Sequence, residues 1–372
     1  MRIGLDVAQT CVERNGCGWV ADRVANAISC VCPNDDLILY HQFGGWLNWS
    51  TSEGTAIARP NVSAPFMGSS WVDACIAWKR IEAGGSNLPG EPEVVHSFSF
   101  QAPVVGNARL VYTVHDLSFW THPEFTTESN RLSCQHGMLK AMHSASALVF
   151  VSENSRRDFF SVFPRPERIR KLPTTVISLA SRFPCVKASR VSLNSGSWLS
   201  IGAMEPRKNF DLLLDAYEIY RRRSQVKRKL HLAGGRGWKS EATWNRIMEL
   251  QPAGEIRHGG YISDRELERL YSEAFAFVFP SHYEGFGLPV LESMSQACPV
   301  ISSRNSSLPE VGGEAVCYWD GKSAGTLAET MLRLEEEEEM YLRLSREGLQ
   351  RARSFSWEKT ALELRHFYDQ VV

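Results

Sequence analysis

The sequence lacks any apolar run that approaches the ~20 residues needed to cross a bilayer. Its first residues, MRIGLDVAQT, place no long apolar core behind Arg2, so they do not read as a secretion signal. These two absences argue against the transmembrane and secreted classes of protein. We therefore expect a cytoplasmic protein that contacts a membrane, if at all, only peripherally at its inner face.

Paired metal ligands and an excess of one charge are also missing. The nine cysteines are odd in number and include no Cys-x-x-Cys pair, a pattern typical of reduced core thiols rather than of a disulfide or zinc framework. The net charge of −1 gives no electrostatic reason to expect nucleic acid as a partner. No Asp-x-Asp element lies where it could hold a divalent ion. We expect neither a bound metal nor a cofactor.

The length of the chain and the order of its apolar patterns indicate two α/β domains. A chain of 372 residues exceeds the ~250 to 300 at which single cores stop growing. Short buried-strand patterns alternate with helical ones, as doubly wound parallel sheets require. The strands are predicted at residues 3–7, 37–40, 94–98, 110–114, 148–151, 198–201, 230–233, 256–258, 275–279 and 300–302.

Two stretches have no periodic pattern. Residues 41–90 carry four tryptophans among many Gly, Ser and Pro. Long functional loops of this kind often bind the variable substrate, so we interpret this stretch as an acceptor-binding loop. Between about 171 and 196 the chain is rich in Ser, Pro and Thr, which we interpret as a linker. The predicted boundaries are a first domain over 1–175, a linker over 176–196, a second domain over 197–355 and a final helix over 356–372.

The stretch 275–303 reads as strand, loop, helix and strand, with Glu284 in the loop and Glu292 in the helix. Pro289 suits the first helical position. A helix that opens after a buried strand points its amide groups at the edge of the sheet where ligands bind, and Gly285 and Gly287 let an anion approach. Together these features predict a sugar nucleotide. The alternative is a solvated loop glutamate and a second one that only complements the helix dipole.

A second loop points to the same ligand. The segment GAMEPRKN follows the strand at 198–201, and Asn209 is a suitable N-cap for the helix after it. Arg207 and Lys208 then lie near the positive end of the helix dipole. This placement is unfavourable for a cation and costs roughly 0.3 to 1 kcal/mol for each residue. A bound anion would reverse the sign of that interaction, whereas two solvated loop charges are the alternative.

In the first half, a histidine and a glycine pair are the candidates. His115 ends a predicted strand and so faces the ligand edge of the sheet, whereas His96 lies inside a strand and suits a core position. Gly16 and Gly18 form either a tight turn that packs a helix on the sheet or a loop whose amides face a ligand. They do not complete a dinucleotide fingerprint, because the position of its third glycine is Ala21.

Two charged runs remain. The acidic run 335–339 is interpreted as a solvated helix face. A group of six basic residues between 156 and 171 could bind an anionic lipid or a lipid diphosphate, and solvated surface charge is the alternative. They are Arg156, Arg157, Arg165, Arg168, Arg170 and Lys171.

The second half resembles the retaining, family-four glycosyltransferases of the GT-B architecture, over most of 197 to about 320. The segments that carry the resemblance are IGAMEPRKNFDLLLDAY, LAGGRGW, GYISDRELERLYSEA, VFPSHYEGFGLPVLESMSQACPVISS and SLPEVGG. NGCGWV, VVHSFSF and YTVHDLSFW match more loosely in the first half, and the segment KLPTTV departs from the family because it lacks the Asn-Gly pair that many relatives have there. Bacterial mannosyltransferases of surface polysaccharide or lipid-linked glycan synthesis are the most similar group.

The resemblance implies a role for each candidate. Arg207 and Lys208 would hold a diphosphate, Glu292 the ribose hydroxyls and Glu284 the hydroxyls of the transferred sugar. His115 would contact the sugar or acceptor, the final helix would cross back to the first domain, and no metal would be required. The residues expected to bind the sugar nucleotide are Gly16, Gly18, Arg207, Lys208, Glu284, Gly285, Phe286, Gly287, Leu288 and Glu292; those expected to be catalytic are His115, Glu284, Arg207 and Lys208.

By the same resemblance, the expected reaction moves a hexose, with retention, to a glycan or lipid-linked saccharide in the synthesis of an O-antigen-like polysaccharide. The first domain would bind the acceptor and the second the donor, expected to be GDP-mannose. A UDP-sugar-dependent glucosyl- or GlcNAc-type transferase is the alternative. A sugar-nucleotide epimerase, which would need no acceptor, and a regulatory module that only binds nucleotides are further alternatives.

Overall fold

The computed structural model describes residues 1–11, 16–44, 54–164, 167–193 and 195–372. The chain forms two compact units that interleave along the sequence. We call Met1–Thr121, Ser129–Leu179 and Ser356–Val372 the N-terminal unit. The C-terminal unit comprises His122–Glu128 and Ala180–Phe355. The final helix therefore belongs to the N-terminal unit, and a short piece of the first half of the sequence belongs to the C-terminal unit.

Each unit contains one parallel sheet. The strands are β1 (Arg2–Asp6), β2 (Asp36–Tyr40), β3 (Val62–Ser63), β4 (Val94–Ser97), β5 (Arg109–Val114), β6 (Ala147–Phe150), β7 (Thr174–Val176), β8 (Trp198–Ile201), β9 (Leu230–Ala233), β10 (Ile256–His258), β11 (Ala276–Phe279), β12 (Val300–Ser302) and β13 (Cys317–Tyr318).

Helices connect and cover these strands. They are α1 (Gly16–Val31), α2 (Trp71–Glu82), α3 (Ser118–Thr121), α4 (Glu128–Ser144), α5 (Glu153–Val162), α6 (Glu167–Arg170), α7 (Phe210–Arg223), α8 (Glu241–Leu250), α9 (Asp264–Glu273), α10 (Leu288–Ser295), α11 (Leu308–Gly312), α12 (Ala324–Glu336), α13 (Glu338–Ala352) and α14 (Trp357–Val371). Among the residues described, no helix has the length and apolar character that crossing a membrane requires.

In the N-terminal unit the strand order is β3-β2-β1-β4-β5-β6-β7, and every neighbouring pair is parallel. One face of this sheet packs an aromatic core in which the indole ring of Trp78 meets Tyr40 and Phe43. The order reverses between β1 and β4, so the carboxyl ends of these strands border the switch point where sheets of this kind bind ligands. His115 directly follows β5, the next strand along.

In the C-terminal unit the order is β10-β9-β8-β11-β12-β13, again all parallel. Strands β8 and β11 are neighbours at the centre of the sheet, although α7, α8, α9 and two strands separate them in sequence. The loops that follow β8 and β11 therefore emerge side by side. This adjacency brings the segment with Arg207 and Lys208 next to the loop with Glu284.

The predicted strands are confirmed, four of them with the predicted bounds: 198–201, 230–233, 256–258 and 300–302. Two stretches interpreted as pattern-free contain regular structure. The stretch 41–90 includes β3 and α2, whose N-cap Ser70 accepts a hydrogen bond from the amide of Asp73 at 3.1 Å. The stretch 171–196 includes β7, an edge strand paired with β6. All three elements are short or amphipathic, so none of them produces a continuous apolar run.

Three local expectations need correction. Asn209 does not cap α7 with its side chain. Its backbone is left-handed, and its side-chain nitrogen Nδ2 donates to the carbonyl of Pro280 at 3.2 Å. Helix α10 begins at Leu288, which places Pro289 second rather than first. The acidic run 335–339 is not wholly solvated, because Glu335 is buried and paired with Arg228 at 3.0 Å.

Helix α14 is fixed to the N-terminal sheet by a buried polar contact. The Tyr368 hydroxyl lies 2.6 Å from Nδ1 of His96 on β4, and Thr113 Oγ1 lies 2.7 Å from Nε2 of the same ring. Burial lowers the pKa of His96 to about 3, so the ring is neutral at physiological pH. The structure thus places His96 in the core, as its position inside a strand predicts.

Replacement of Tyr368 by phenylalanine is expected to lower the free energy of unfolding by about 1 to 3 kcal/mol, because Nδ1 of His96 would stay buried without its partner. Urea unfolding measures the change. Tyr112→Phe is the matched control, since its buried hydroxyl has no hydrogen-bond partner in the described part of the chain and its loss is expected to be neutral or stabilising. Equal losses in both variants would contradict the assigned contact.

Candidate functional site

A buried cluster of two cations and a carboxylate occupies the paired loops after β8 and β11. Lys208 Nζ lies 2.7 Å from Oε1 of Glu284, and a guanidinium nitrogen of Arg207 lies 2.8 Å from Oε2. The carboxylate thus bridges both cations. The alternative of two solvated loop charges is excluded, because Lys208 is only 8% exposed and Arg207 is partly buried.

The position of Lys208 depends on a glycine and an aromatic ring. Gly202 has φ +151°, and a Cβ there would lie 3.2 Å from Cε of Lys208, so glycine makes room for the lysine stem. The ammonium lies 4.8 Å from the ring centroid of Phe279, at the end of β11. Burial lowers the pKa of Lys208, and the charge of Glu284 opposes that shift. An ammonium has three donors, so this group can bind an acceptor besides Glu284.

Glu284 is held in its ionised form. Burial would raise the pKa of this carboxyl, but Arg207, Lys208 and a hydrogen bond from Ser281 lower it to about 2. The loop around it is fixed by the backbone: Ser306 Oγ accepts from the amide of Glu284 at 2.9 Å, and Ser307 Oγ donates to its carbonyl at 2.8 Å. A carboxylate in this state accepts hydrogen bonds at every physiological pH.

A second carboxylate, Glu205, also belongs to this cluster. It is buried and forms an ion pair with Arg207. No expectation from the sequence includes Glu205, although it stands two residues before Arg207 in GAMEPRKN. Two carboxylates therefore face the two cations. A bound anion would share the N–H donors of Arg207 and Lys208 with these carboxylates and would not meet two unpaired cations.

Glu292 forms a separate ion pair on α10. Its carboxylate is 0% exposed and accepts hydrogen bonds from Nε and a terminal nitrogen of Arg182, at 2.5 and 2.9 Å. Tyr271 donates a further bond at 3.2 Å, and Arg182 also contacts Asp264 at 3.2 Å. Sequence reasoning missed Arg182, because it lies inside the stretch interpreted as a linker.

The start of α10 is shaped by Gly287 and Phe286. Gly287 is the N-cap with φ +110°, so any side chain there would strain the backbone, and its Cβ would lie 2.9 Å from the end of the Leu308 side chain. Phe286 is buried, with its ring centroid 6.1 Å from that of Phe355. Gly285 and Leu288 flank these two residues. The amides of this helix start remain the predicted partners of an anion.

In the N-terminal unit, His115 is buried and its Nε2 lies 2.7 Å from the carbonyl oxygen of Phe98. A carbonyl only accepts, so Nε2 carries the proton and Nδ1 is the acceptor of the neutral ring. Burial lowers the pKa of His115, which favours this neutral form. Gly16 and Gly18 form the first turn of α1 rather than a turn before it, and their predicted contact with phosphate stays a prediction.

The predicted basic patch is largely paired with neighbouring groups. Arg156 bonds Glu153 at 2.9 Å, Lys171 bonds Glu167 at 2.7 Å, and Arg168 donates to the carbonyl of Ala145 at 3.0 Å. These contacts reduce the charge available to an anionic surface. Arg165, Asn15 and part of the predicted acceptor loop, residues 45–53, lie outside the described residues.

Comparison with known proteins decides the family. The sequence profile described as "Glycosyl transferases group 1" matches residues 188–351. The O-antigen chain mannosyltransferase B of Escherichia coli is 32% identical over 269 residues, which cover 70% of this chain and 70% of that protein. The chain belongs to the group 1 glycosyltransferases. A mannosylfructose-phosphate synthase of Agrobacterium fabrum is 30% identical over 176 residues, or 45% of this chain and 38% of that one.

Solved structures agree on the fold of this glycosyltransferase. A sucrose-phosphate synthase from Thermosynechococcus elongatus aligns over 100% of this chain and 99% of its own, with a TM-score of 0.72 and 18% identity. Anabaena HepE in complex with UDP-glucose aligns over 100% of both chains, with a TM-score of 0.71 and 14% identity. The predicted GT-B architecture of two Rossmann-like domains is confirmed.

The pKa of Glu284 has a consequence for the stability of this glycosyltransferase. A carboxyl whose folded pKa is lowered from 4.5 to about 2 stabilises the fold above its unfolded pKa, and that contribution fades as pH falls towards 2. Between about pH 5 and about pH 3, the difference in unfolding free energy between wild type and Glu284→Gln is expected to shrink by about 2 kcal/mol.

Urea unfolding at both pH values measures this difference. Glu273→Gln is the matched control, because Glu273 forms an exposed ion pair with Arg269 on α9 and should change by less than about 1 kcal/mol. A pH-independent difference for Glu284→Gln would show that this carboxyl is not held ionised by Arg207 and Lys208.

Proposed function

We propose that this glycosyltransferase moves a mannosyl residue, with retention of configuration, from GDP-mannose to a glycan or lipid-linked saccharide acceptor in the synthesis of a cell-surface polysaccharide. The observation that carries the proposal is the 32% identity, over 70% of both chains, to an O-antigen chain mannosyltransferase. The buried cluster of Arg207, Lys208 and Glu284 supplies chemistry that such a transfer needs.

In the proposed mechanism, the two cations stabilise the departing diphosphate. Negative charge develops on the leaving oxygen as the sugar bond breaks, and preorganised donors stabilise that charge more in the transition state than before it. Lys208 and Arg207 are already fixed by their bonds to Glu284. They therefore need little reorganisation when the diphosphate binds.

Glu284 acts in this proposal by orienting the transferred sugar. A carboxyl with a pKa of about 2 is a weak base, which argues against proton transfer by Glu284 at neutral pH. The leaving phosphate would accept the proton of the attacking acceptor hydroxyl. Glu292 would contact the ribose, and its bidentate bond to Arg182 fixes the direction in which the carboxylate points.

His115 is proposed to contact the reacting sugar or the acceptor through Nδ1, its acceptor nitrogen in the neutral ring. In keeping with the sequence expectation, the mechanism uses no metal. Peripheral contact with the inner face of the cytoplasmic membrane remains part of the proposal, because a lipid-linked acceptor would lie there.

A UDP-sugar donor is the second candidate. Two aligned structures of Anabaena HepE hold UDP-glucose or UDP with glucose, and they cover the whole chain at 14 to 15% identity. That likeness establishes the fold alone. The nucleotide base and the sugar of the donor are therefore to be tested directly.

A panel of radiolabelled sugar nucleotides, each with and without saccharide acceptors, tests the proposal. We expect label from GDP-mannose to pass to an α-mannoside acceptor with the α configuration retained. Transfer from a UDP-sugar would favour the second candidate. Conversion of the nucleotide sugar without acceptor would indicate an epimerase, and tight binding without turnover would indicate a regulatory module.

A further inference from the structure

The segment His122–Glu128 carries an aromatic group onto the C-terminal unit. The Phe125 ring stacks on His282 with 5.7 Å between ring centroids and 9° between planes. His122 stacks on the same phenylalanine at 5.0 Å. Trp238 Nε1 donates a hydrogen bond of 2.6 Å to the carbonyl of Phe125, and Lys239 Nζ donates one of 2.9 Å to that of Glu124.

This aromatic group is continuous with the site. The amide of His282 donates to the carbonyl of Arg207 at 2.8 Å, and His282 stands two residues before Glu284 in the same loop. On the other side, the loop that ends in Trp238 is tied to the loop before Arg207, because the amide of Met204 donates to the carbonyl of Gly235 at 3.0 Å. Backbone hydrogen bonds therefore connect the loops that carry His282 and Trp238 to the segment that carries Arg207.

Trp238 is one of the exposed large apolar side chains among the described residues. It keeps 39% of its surface accessible, although burial of a large aromatic side chain is among the most favourable contributions to folding. Its polar end is already bonded to Phe125, so the hydrogen bond fixes the indole while leaving ring surface exposed. Fixed, exposed tryptophan beside a ligand site is typical of a recognition surface.

We propose that Trp238, Phe125 and His282, here called the aromatic ledge, bind the acceptor saccharide, with the indole of Trp238 stacking on a pyranose ring. One face of a pyranose presents polarised C–H groups, which complement the negative face of an aromatic ring. Hydroxyl groups around the ring edge can meet polar neighbours such as Lys239. This inference rests on the proposed function, because it names where the second substrate binds. It differs from the expectation that the first domain binds the acceptor, since Trp238, His282 and the segment with Phe125 all belong to the C-terminal unit.

The acceptor saccharide is the favoured ligand of the aromatic ledge, because the parts of the sugar nucleotide already have other partners. Each part of the sugar nucleotide already has a proposed partner. Arg207 and Lys208 bind the diphosphate, Glu284 binds the transferred sugar, and Glu292 binds the ribose. His282 stands two residues before Glu284 in the same loop, and Trp238 keeps 39% of its surface exposed, so the ledge can accept a chain-like saccharide. Stacking of the nucleotide base on Trp238 is the competing arrangement, and the experiment separates the two.

The test compares Trp238→Ala and Trp238→Phe with wild type, using methyl α-mannoside as the saccharide and GDP-mannose as the donor. Saccharide binding is first measured by saturation-transfer NMR without donor. We expect Trp238→Ala to weaken it at least about 10-fold, in line with ~1.4 kcal/mol of stacking, and Trp238→Phe to stay within about threefold. In turnover, KM for the saccharide should rise while KM for the donor stays unchanged.

Several outcomes would overturn the ledge. They are no saccharide binding by wild type, equal binding by wild type and Trp238→Ala, and a rise in KM for the donor alone, which would assign the ring to the base. If Trp238→Phe binds as weakly as Trp238→Ala, the indole acts only through its bond to Phe125. Binding is measured without donor, so absence of any transfer would count against the proposed function and not against the ledge.

Two controls separate recognition from folding. Met248→Ala removes an apolar side chain of similar exposure, 36%, from α8 in the same unit and should leave saccharide binding unchanged. Thermal unfolding should place both Trp238 variants close to wild type. Phe125→Leu, which keeps the carbonyl that bonds Trp238, should weaken saccharide binding less than Trp238→Ala does.

Discussion

Replacement of Lys208 by methionine is expected to lower kcat/KM for the sugar nucleotide by about 10² to 10³-fold, the usual cost of removing one preorganised donor from a developing negative charge. Methionine keeps most of the apolar stem that packs against Gly202 and Phe279. Glu284 keeps its bond to Arg207 in the variant, which limits the structural damage. Initial rates at varied donor concentration measure the effect.

The matched control for this variant is Lys322→Met. Lys322 lies in the same unit, and its side chain is 79% exposed in an ion pair with Asp320, so its loss should leave kcat/KM within about twofold. If Lys208→Met kept more than a tenth of the wild-type kcat/KM while remaining folded, Lys208 would not stabilise the leaving group. Circular dichroism and thermal unfolding establish whether the variant is folded.

Replacement of Glu292 by alanine is expected to destabilise the protein by about 3 kcal/mol or more, because it leaves the charge of Arg182 buried without its main partner. The side chain of Arg182 is 14% exposed, and its remaining contact with Asp264 at 3.2 Å offsets only part of the loss. Urea unfolding gives the free energy. Glu363→Ala, which breaks an exposed pair with Lys359 on α14, should cost less than about 1 kcal/mol.

A double variant distinguishes charge from packing at this site. Arg182→Met combined with Glu292→Leu removes both charges and fills the space, so it should recover at least half of the stability lost in Glu292→Ala. Binding of the sugar nucleotide should remain weak in the double variant, because the proposed partner of the ribose is absent. A double variant as unstable as Glu292→Ala would show that the loss comes from packing around α10.

The sequence predicts best what depends on neighbouring residues. Four strands have the predicted bounds, and a glycine that breaks the strand pattern directly follows three of them: Gly202, Gly234 and Gly259. The loop with Glu284 and the segment with Arg207 and Lys208 were each predicted to bind one anion. The structure joins them because β8 and β11 pair at the centre of the sheet.

The remaining features depend on partners that are distant in sequence. Arg182 meets Glu292 across 110 residues, and no local pattern marks that pair. The acidic run at 335–339 looks solvated until Glu335 accepts hydrogen bonds from Tyr220 and Ser224 on and after α7. Glu205 could have been found, since a carboxylate beside two cations is visible in the sequence.

The interleaved course of the chain limits how related enzymes can be recombined. In a chimaera that joins the first half of one relative to the second half of another, the junction should lie near Leu179, where the second segment of the N-terminal unit ends. The relative that provides the first half must then also provide Ser356–Val372, so that Tyr368 and His96 come from the same protein and keep their hydrogen bond. The relative that provides the second half must contribute His122–Glu128 as well, or Trp238 and His282 would meet a segment that did not evolve with them.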